Sequence, residues 1–188
     1  NYSSDPYWTE GGFFPANSAG DAVLHGNYTY LNLFEGNTIQ NIVVDASHES
    51  NGPFNTFFRN RAELFGFFSD PNTPTDSMNI VGNEITATGG FPYGMLSISG
   101  IGHYSYGNNQ NGTCVPASTE QIGTNSLYLN SPSEYGFLGN NVLPMAGYPN
   151  QLNEKLLPAE ERFDLNLPVS CTAEVVTSIT ESEEEIKL

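Results

Sequence analysis

NTFFRNRAEL, residues 55–64, aligns with LNLFEGNTIQ (31–40), MNIVGNEITA (78–87) and YSYGNNQNGT (104–113), placing one Asn in register at Asn37, Asn60, Asn83 and Asn108. The intervals are 23, 23 and 25 residues. Periods of this size mark solenoids, in which each winding covers the apolar edge of the next. The columns around the Asn agree with that reading. Three positions earlier stand Phe34, Phe57, Ile80 and Ser105, and two positions later Ile39, Ala62, Ile85 and Gln110. Apolar character holds for three windings and fails in the fourth, as expected of a terminal one.

An inward Asn in a stacked turn can donate to the winding on one side and accept from the other, satisfying turn backbone that would otherwise be buried without partners. Asn37, Asn60, Asn83 and Asn108 are therefore expected to form a ladder. The residue before each is Gly36, Arg59, Gly82 and Gly107. The three glycines indicate a glycine-favoured conformation or a close approach at this corner. Arg59 is the odd member, with either a structural partner or a ligand to explain it. Arg61 shares a polar column with Thr38, Glu84 and Asn109, so Arg61 and Glu84 should pair across neighbouring strands about 5 Å apart.

The F/I-x-x-N-x-I fragment also occurs in leucine-rich repeats. Those need an apolar residue where this chain has Asn32, Asn55, Met78 and His103. The expected fold is all-β: a right-handed parallel β-helix of about 23 residues per winding with three short strands each. Segments 41–47 (NIVVDAS) and 63–69 (ELFGFFS) supply second strands. Four regions follow: an aromatic-rich partial winding at 1–30, windings at 31–130, an irregular Pro-rich cap at 131–170 and an acidic linker at 171–188. Within the cap, PAEERF should form a helical turn with Pro158 first.

Composition narrows the function. The 22 Asn and 19 Gly among 188 residues favour turns and short strands over long helices. A formal charge of −16 from 21 acidic residues disfavours nucleic acid and anionic membrane surfaces. No apolar run approaches the roughly 20 residues of a membrane span. The first residues carry neither an initiator Met nor a signal peptide, as in a piece of a longer chain. Cys114 and Cys171 are either a disulfide tying the cap to the windings or two free thiols.

The candidate chemistry is sparse. His25, His48 and His103 show no zinc-type spacing, and no metal site is expected. His48 has Asp45 and Glu49 close in sequence. Arg59 or Arg61, facing Glu35, Glu63 and Glu84, could supply the base of a polysaccharide lyase, for which Ca²⁺ would be the accompanying ion. No cofactor is otherwise required. Tyr7, Trp8, Tyr28 and Tyr30 serve either as apolar cover for the first winding or, with Arg59, as a sugar-stacking surface. Asn27-Tyr-Thr and Asn111-Gly-Thr match the N-glycosylation sequon, and Asp76-Ser-Met an O-glycosylation acceptor.

The run HGNYTYLNLFEGNTIQNIVVDASHESNGPFNTFFRNRAELFGFF (25–68), with NIVGNEIT (79–86), HYSYGNN (103–109) and LPAEERF (157–163), resembles bacterial secreted parallel β-helix proteins exported by the type IX system. The terminal EEEIKL resembles the join before their sorting module. The resemblance implies a pectate-lyase-like fold and an extracellular or cell-surface setting, and it transfers no catalytic residue. The leading expectation is a binding or structural module directed at glycans or matrix. A polysaccharide lyase or hydrolase, and a subunit that self-associates through solenoid ends, are the alternatives.

Overall fold

The computed structural model describes residues 1–4, 20–130, 143–144, 146–150 and 156–167. Tyr7, Trp8, Cys171 and the acidic stretch at 171–188 lie outside the described residues. The described strands are β1 (Ala22–His25), β2 (Leu33–Glu35), β3 (Thr38–Asp45), β4 (Thr56–Phe58), β5 (Arg61–Ser69), β6 (Asn79–Val81), β7 (Glu84–Ile85), β8 (Met95–Ser97), β9 (Tyr104–Tyr106), β10 (Asn108–Gln110) and β11 (Thr113–Val115). One helix, α1 (Pro158–Asp164), carries Pro158 in its first turn.

The strands stack as a parallel β-solenoid. Sheet A runs β1-β3-β5-β7-β10-β11, with β8 also paired to β5, and sheet B runs β2-β4-β6-β9. Every pairing is parallel except β10–β11. The register of sheet B, Phe34↔Phe57↔Ile80↔Ser105, is the column read from the repeat. Ile39 pairs with Ala62 but Asn41 with Gly66, so the extra residues of this register shift bulge from β5, whose two halves pair onward with β7 and β8.

The corners explain why so few residues complete a turn. Sheet B strands are three residues long, and left-handed residues flank them on both sides. Before the strands come Leu31, Phe54, Ser77 and Gly102, with φ from 56 to 72°. After them come Gly36, Arg59, Gly82 and Gly107, with φ from 50 to 66°. Each such residue turns the chain, and the next residue points inward.

After the second corner that inward residue is the Asn of the ladder. Asn37 Nδ2 donates to Asn60 Oδ1 at 2.8 Å, Asn60 to Asn83 at 3.0 Å, and Asn83 to Asn108 at 3.0 Å. Each acceptor oxygen also takes the backbone N–H of the preceding rung. Asn1 adds a rung, donating to Asn37 Oδ1 at 2.8 Å. Inward positions after the first corner form a second column, in which Asn32 donates to Asn55 and His103 Nδ1 accepts the Met78 N–H at 3.2 Å. That bond leaves the proton on His103 Nε2, which donates to the Ser99 carbonyl. A third inward amide, Asn51, donates to the Asp45 carbonyl and to Thr75 Oγ1.

Between these polar columns the core is a stack of like on like. Phe34 lies on Phe57 at 5.0 Å with rings nearly parallel, and Phe57 meets Phe67 edge-on at 5.1 Å. Leu24, Ile42, Val44, Met78 and Ile80 complete it. The polar residues of the fourth winding are satisfied rather than packed: Ser105 Oγ accepts from Asn108 Nδ2, and Gln110 Nε2 donates to the Gly94 carbonyl. Beyond them Asn111 and Gly112, both with positive φ, reverse the chain so that β11 lies antiparallel on β10. Asn-Gly is the signature of such a tight hairpin, and it ends the parallel stacking of sheet A.

Candidate functional site

Residues 116–129 leave the hairpin and run back along the solenoid axis, over the corner that follows sheet B. At the fourth winding Thr119 Oγ1 accepts the Gly107 N–H at 2.8 Å. Ile122 packs on Gly82 and Gly107, where an added Cβ would lie 2.9 and 2.4 Å from its Cδ1. At the first winding the Glu35 carboxylate accepts the Ser126 hydroxyl and the Leu127 N–H. A left-handed backbone is common to all three glycines of the column, and at Gly82 and Gly107 the returning segment in contact is a second cause, whereas a Cβ on Gly36 would meet nothing within 4 Å.

Arg59 fills the remaining place in that column. It is 2% exposed and accepts a left-handed φ of 50°, a conformation that costs a non-glycine residue about 1–2 kcal/mol. In return its five guanidinium bonds reach only main-chain carbonyls. Nε donates to Thr124 at 3.0 Å, Nη2 to Thr124 at 2.8 Å and Ile122 at 3.2 Å, and Nη1 to Pro149 at 2.6 Å and Tyr148 at 3.4 Å. A second segment, 146–150, is held at the same place, with the Tyr148 N–H on the Gly82 carbonyl. Burial draws the Arg59 pKa down, while the Glu35 charge opposes that shift.

Arg61 is the partner of Glu84 that the repeat requires. The two are in register on β5 and β7, Nη1 lies 3.3 Å from Glu84, and Nε reaches Glu63 at 2.8 Å. Glu63 and Glu84 thus share one guanidinium on sheet A, while Glu35 stands on sheet B against residues 126–127. The three carboxylates do not line one groove with a free arginine between them.

His48 is linked to the Asp45 carboxylate only through Ser47 and His25, a cluster that sequence spacing shows only in part. His25 and Asp45, in register on β1 and β3, place His25 Nδ1 2.8 and 2.9 Å from the two Asp45 oxygens. Ser47 Oγ donates to Asp45 at 2.6 Å and lies 3.3 Å from His48 Nδ1; the two imidazole rings are 4.2 Å apart. Burial pushes the Asp45 carboxyl up, but the hydroxyl and N–H of Ser47 together with His25 outweigh it and hold the pKa below the ordinary value. A carboxylate so occupied is a poor proton acceptor. Glu49 adopts a positive φ in the same loop. Among the described residues no group of three or more His, Cys, Asp or Glu is arranged to hold a metal ion. Cys114 is a free thiol, 3.3 Å from the Pro116 carbonyl.

Tyr28 and Tyr30 are 64% and 55% exposed, with ring centroids 5.9 Å apart, at the turn between β1 and β2. They lie away from Arg59, whose guanidinium faces the returning segments. The more developed aromatic surface is one the repeat contains but does not announce. Tyr104 and Tyr106, the outward residues of β9, have rings parallel to within 1° and centroids 6.0 Å apart. They end the outer face of sheet B, where Thr56, Phe58, Asn79 and Val81 precede them. Residues 121–124 and Leu127 wall that face, enclosing a groove of about 470 Å³. Asn79 Nδ2 donates to Thr56 Oγ1 across its floor at 3.0 Å.

Every described residue lining this groove is uncharged, in a chain of net charge −16. A neighbouring cleft of about 660 Å³, on the side of Leu33 and Tyr128, instead includes Glu35, Arg59 and Arg162. The groove spans three stacked strands of sheet B, β4, β6 and β9, two steps or about 10 Å at the usual strand spacing. No family model, curated protein or solved structure matches the chain.

Proposed function

We propose that this β-solenoid is a binding module for a neutral glycan, held along the outer face of sheet B. The observation that carries the reading is the groove itself: parallel Tyr104 and Tyr106 rings, an amide at Asn79, and no charge on any lining residue. Sugar rings present apolar C–H faces to aromatic planes and hydroxyls to amides and hydroxyls, which is what this floor and wall offer. A uronide or sulfated polymer would find no cation here and would meet the field of a strongly acidic protein. The likeness to type IX secretion cargo supports an extracellular or cell-surface setting, where such polymers are found.

A lyase reading would have to find its base elsewhere, since Arg59 is buried with its guanidinium bonded to four carbonyls and Arg61 is ion-paired with Glu63 and Glu84. Affinity electrophoresis and titration calorimetry against neutral and acidic polysaccharides test the proposal. Retardation by at least one neutral polymer, lost in Tyr106→Ala while the fold is kept, is expected. Exclusive binding of acidic polymers, or release of unsaturated uronides from them, would overturn it.

A further inference from the structure

We infer that Arg59 is the positioning residue that builds this groove, holding its wall in place without touching the ligand; the inference rests on the glycan reading above. The wall has no secondary structure of its own between Thr119 and Ser126, and its main chain reaches the solenoid there through carbonyls rather than through a strand pairing. Two of those carbonyls, Ile122 and Thr124, end on Arg59. The same guanidinium takes Tyr148 and Pro149 from a segment more than twenty residues further on. One buried side chain thus bonds to both stretches at the second winding.

The choice of residue supports this role. The corner needs a left-handed conformation, which the other three windings meet with Gly. Here the chain carries an Arg instead, in a conformation unfavourable to it, at the winding where the wall crosses midway between its Thr119 and Glu35 anchors. Solenoid stacking alone would be served by Gly at this position. The extra side chain is accounted for by the segments it holds. Arg is also the one side chain whose planar fork of five donors can reach four carbonyls at once; Lys offers three donors from a single point.

The experiment uses the whole chain and three variants: Arg59→Gly, which suits the corner and lets the solenoid fold, Arg59→Lys and Tyr106→Ala. Hydrogen exchange is followed at the wall amides of Leu127, Tyr128 and Leu129, which bond to Glu35 or Ser126, and at Tyr148, which bonds to Gly82. Binding is measured with whichever neutral polysaccharide the wild-type chain retains. Arg59→Gly should speed exchange at these four amides, leave the sheet amides unchanged and weaken binding on the order of 10–100-fold, the scale on which misplaced binding groups act. Arg59→Lys should fall between the two. Tyr106→Ala should weaken binding with no change in wall exchange.

Unchanged wall exchange in Arg59→Gly would refute the latch. Faster exchange with unchanged affinity would remove the wall from the site while leaving the Tyr floor as the binding surface. If the wild-type chain retains no polysaccharide, the glycan reading fails, and the exchange data alone decide whether Arg59 holds the wall.

Discussion

Replacing Asn83 by Ala should cost about 3–6 kcal/mol. Asn83 is 1% exposed and makes four hydrogen bonds through its side chain. Its oxygen accepts the Asn60 N–H at 3.1 Å and Asn60 Nδ2 at 3.0 Å, and its Nδ2 donates to the Phe57 carbonyl at 2.9 Å and to Asn108 Oδ1 at 3.0 Å. Truncation leaves the Asn60 N–H and the Phe57 carbonyl without these partners in the interior. Asn60 Nδ2 keeps its bond to Phe34, and Asn108 Oδ1 keeps the Asn83 N–H. Each buried group left unpaired costs about 1–3 kcal/mol, and the lost side chain adds a small cavity. That total is comparable with the entire stability of a typical domain, about 5–15 kcal/mol.

Urea unfolding followed by far-ultraviolet circular dichroism measures the loss, with Asn37→Ala as the comparison. Asn37 is only half-buried, so water can replace part of what it gives up, and its truncation should cost less than half as much. An Asn83→Ala penalty below about 1 kcal/mol, or equal penalties at the two rungs, would refute the idea that interior amide satisfaction holds the windings together.

Other consequences are of graded size. Glu84→Gln, which weakens a partly buried pair but leaves Arg61 bonded to Glu63, should shift stability by about 1 kcal/mol or less, and less still in high salt. Gly66→Ala should cost several kcal/mol in the same unfolding assay, because an added Cβ would stand 2.1 Å from the Met95 carbonyl oxygen at a φ of +93° where β5 meets β8. The depressed Asp45 pKa predicts stability that is complete above the ordinary Asp value of 3.8 and is lost as pH falls below it toward the folded-state value; Asp45→Asn should flatten the acid limb of a melting-temperature profile. Glu160 behaves oppositely. Burial, reinforced by Glu63 and Asp164, raises its pKa, so the contribution from its neutral form is present at low pH and is lost as pH rises through the raised value; Glu160→Gln should stabilise the chain at neutral pH.

The sequence alone determined the solenoid, its period, the Asn ladder, the Arg61–Glu84 pair and the helix that starts at Pro158. These were legible because parallel stacking places like residues on like, so a contact between windings is written as a repeat at a fixed interval. A second amide column at Asn32 and Asn55 was visible in the same alignment, but Met78 interrupts it and His103 hides its resumption, since an imidazole nitrogen there takes the place of the amide oxygen. The Asn111-Gly112 hairpin also had a local signal, hidden by its overlap with the fourth repeat. What only the tertiary structure decided is where the irregular segments go. Arg59 bonds to residues 63 to 90 positions away, and the groove exists only because residues 116–129 return along the axis. Such contacts join a periodic surface to a stretch with no period, so no spacing in the sequence records them, and the sole trace is one arginine where the corner otherwise asks for glycine.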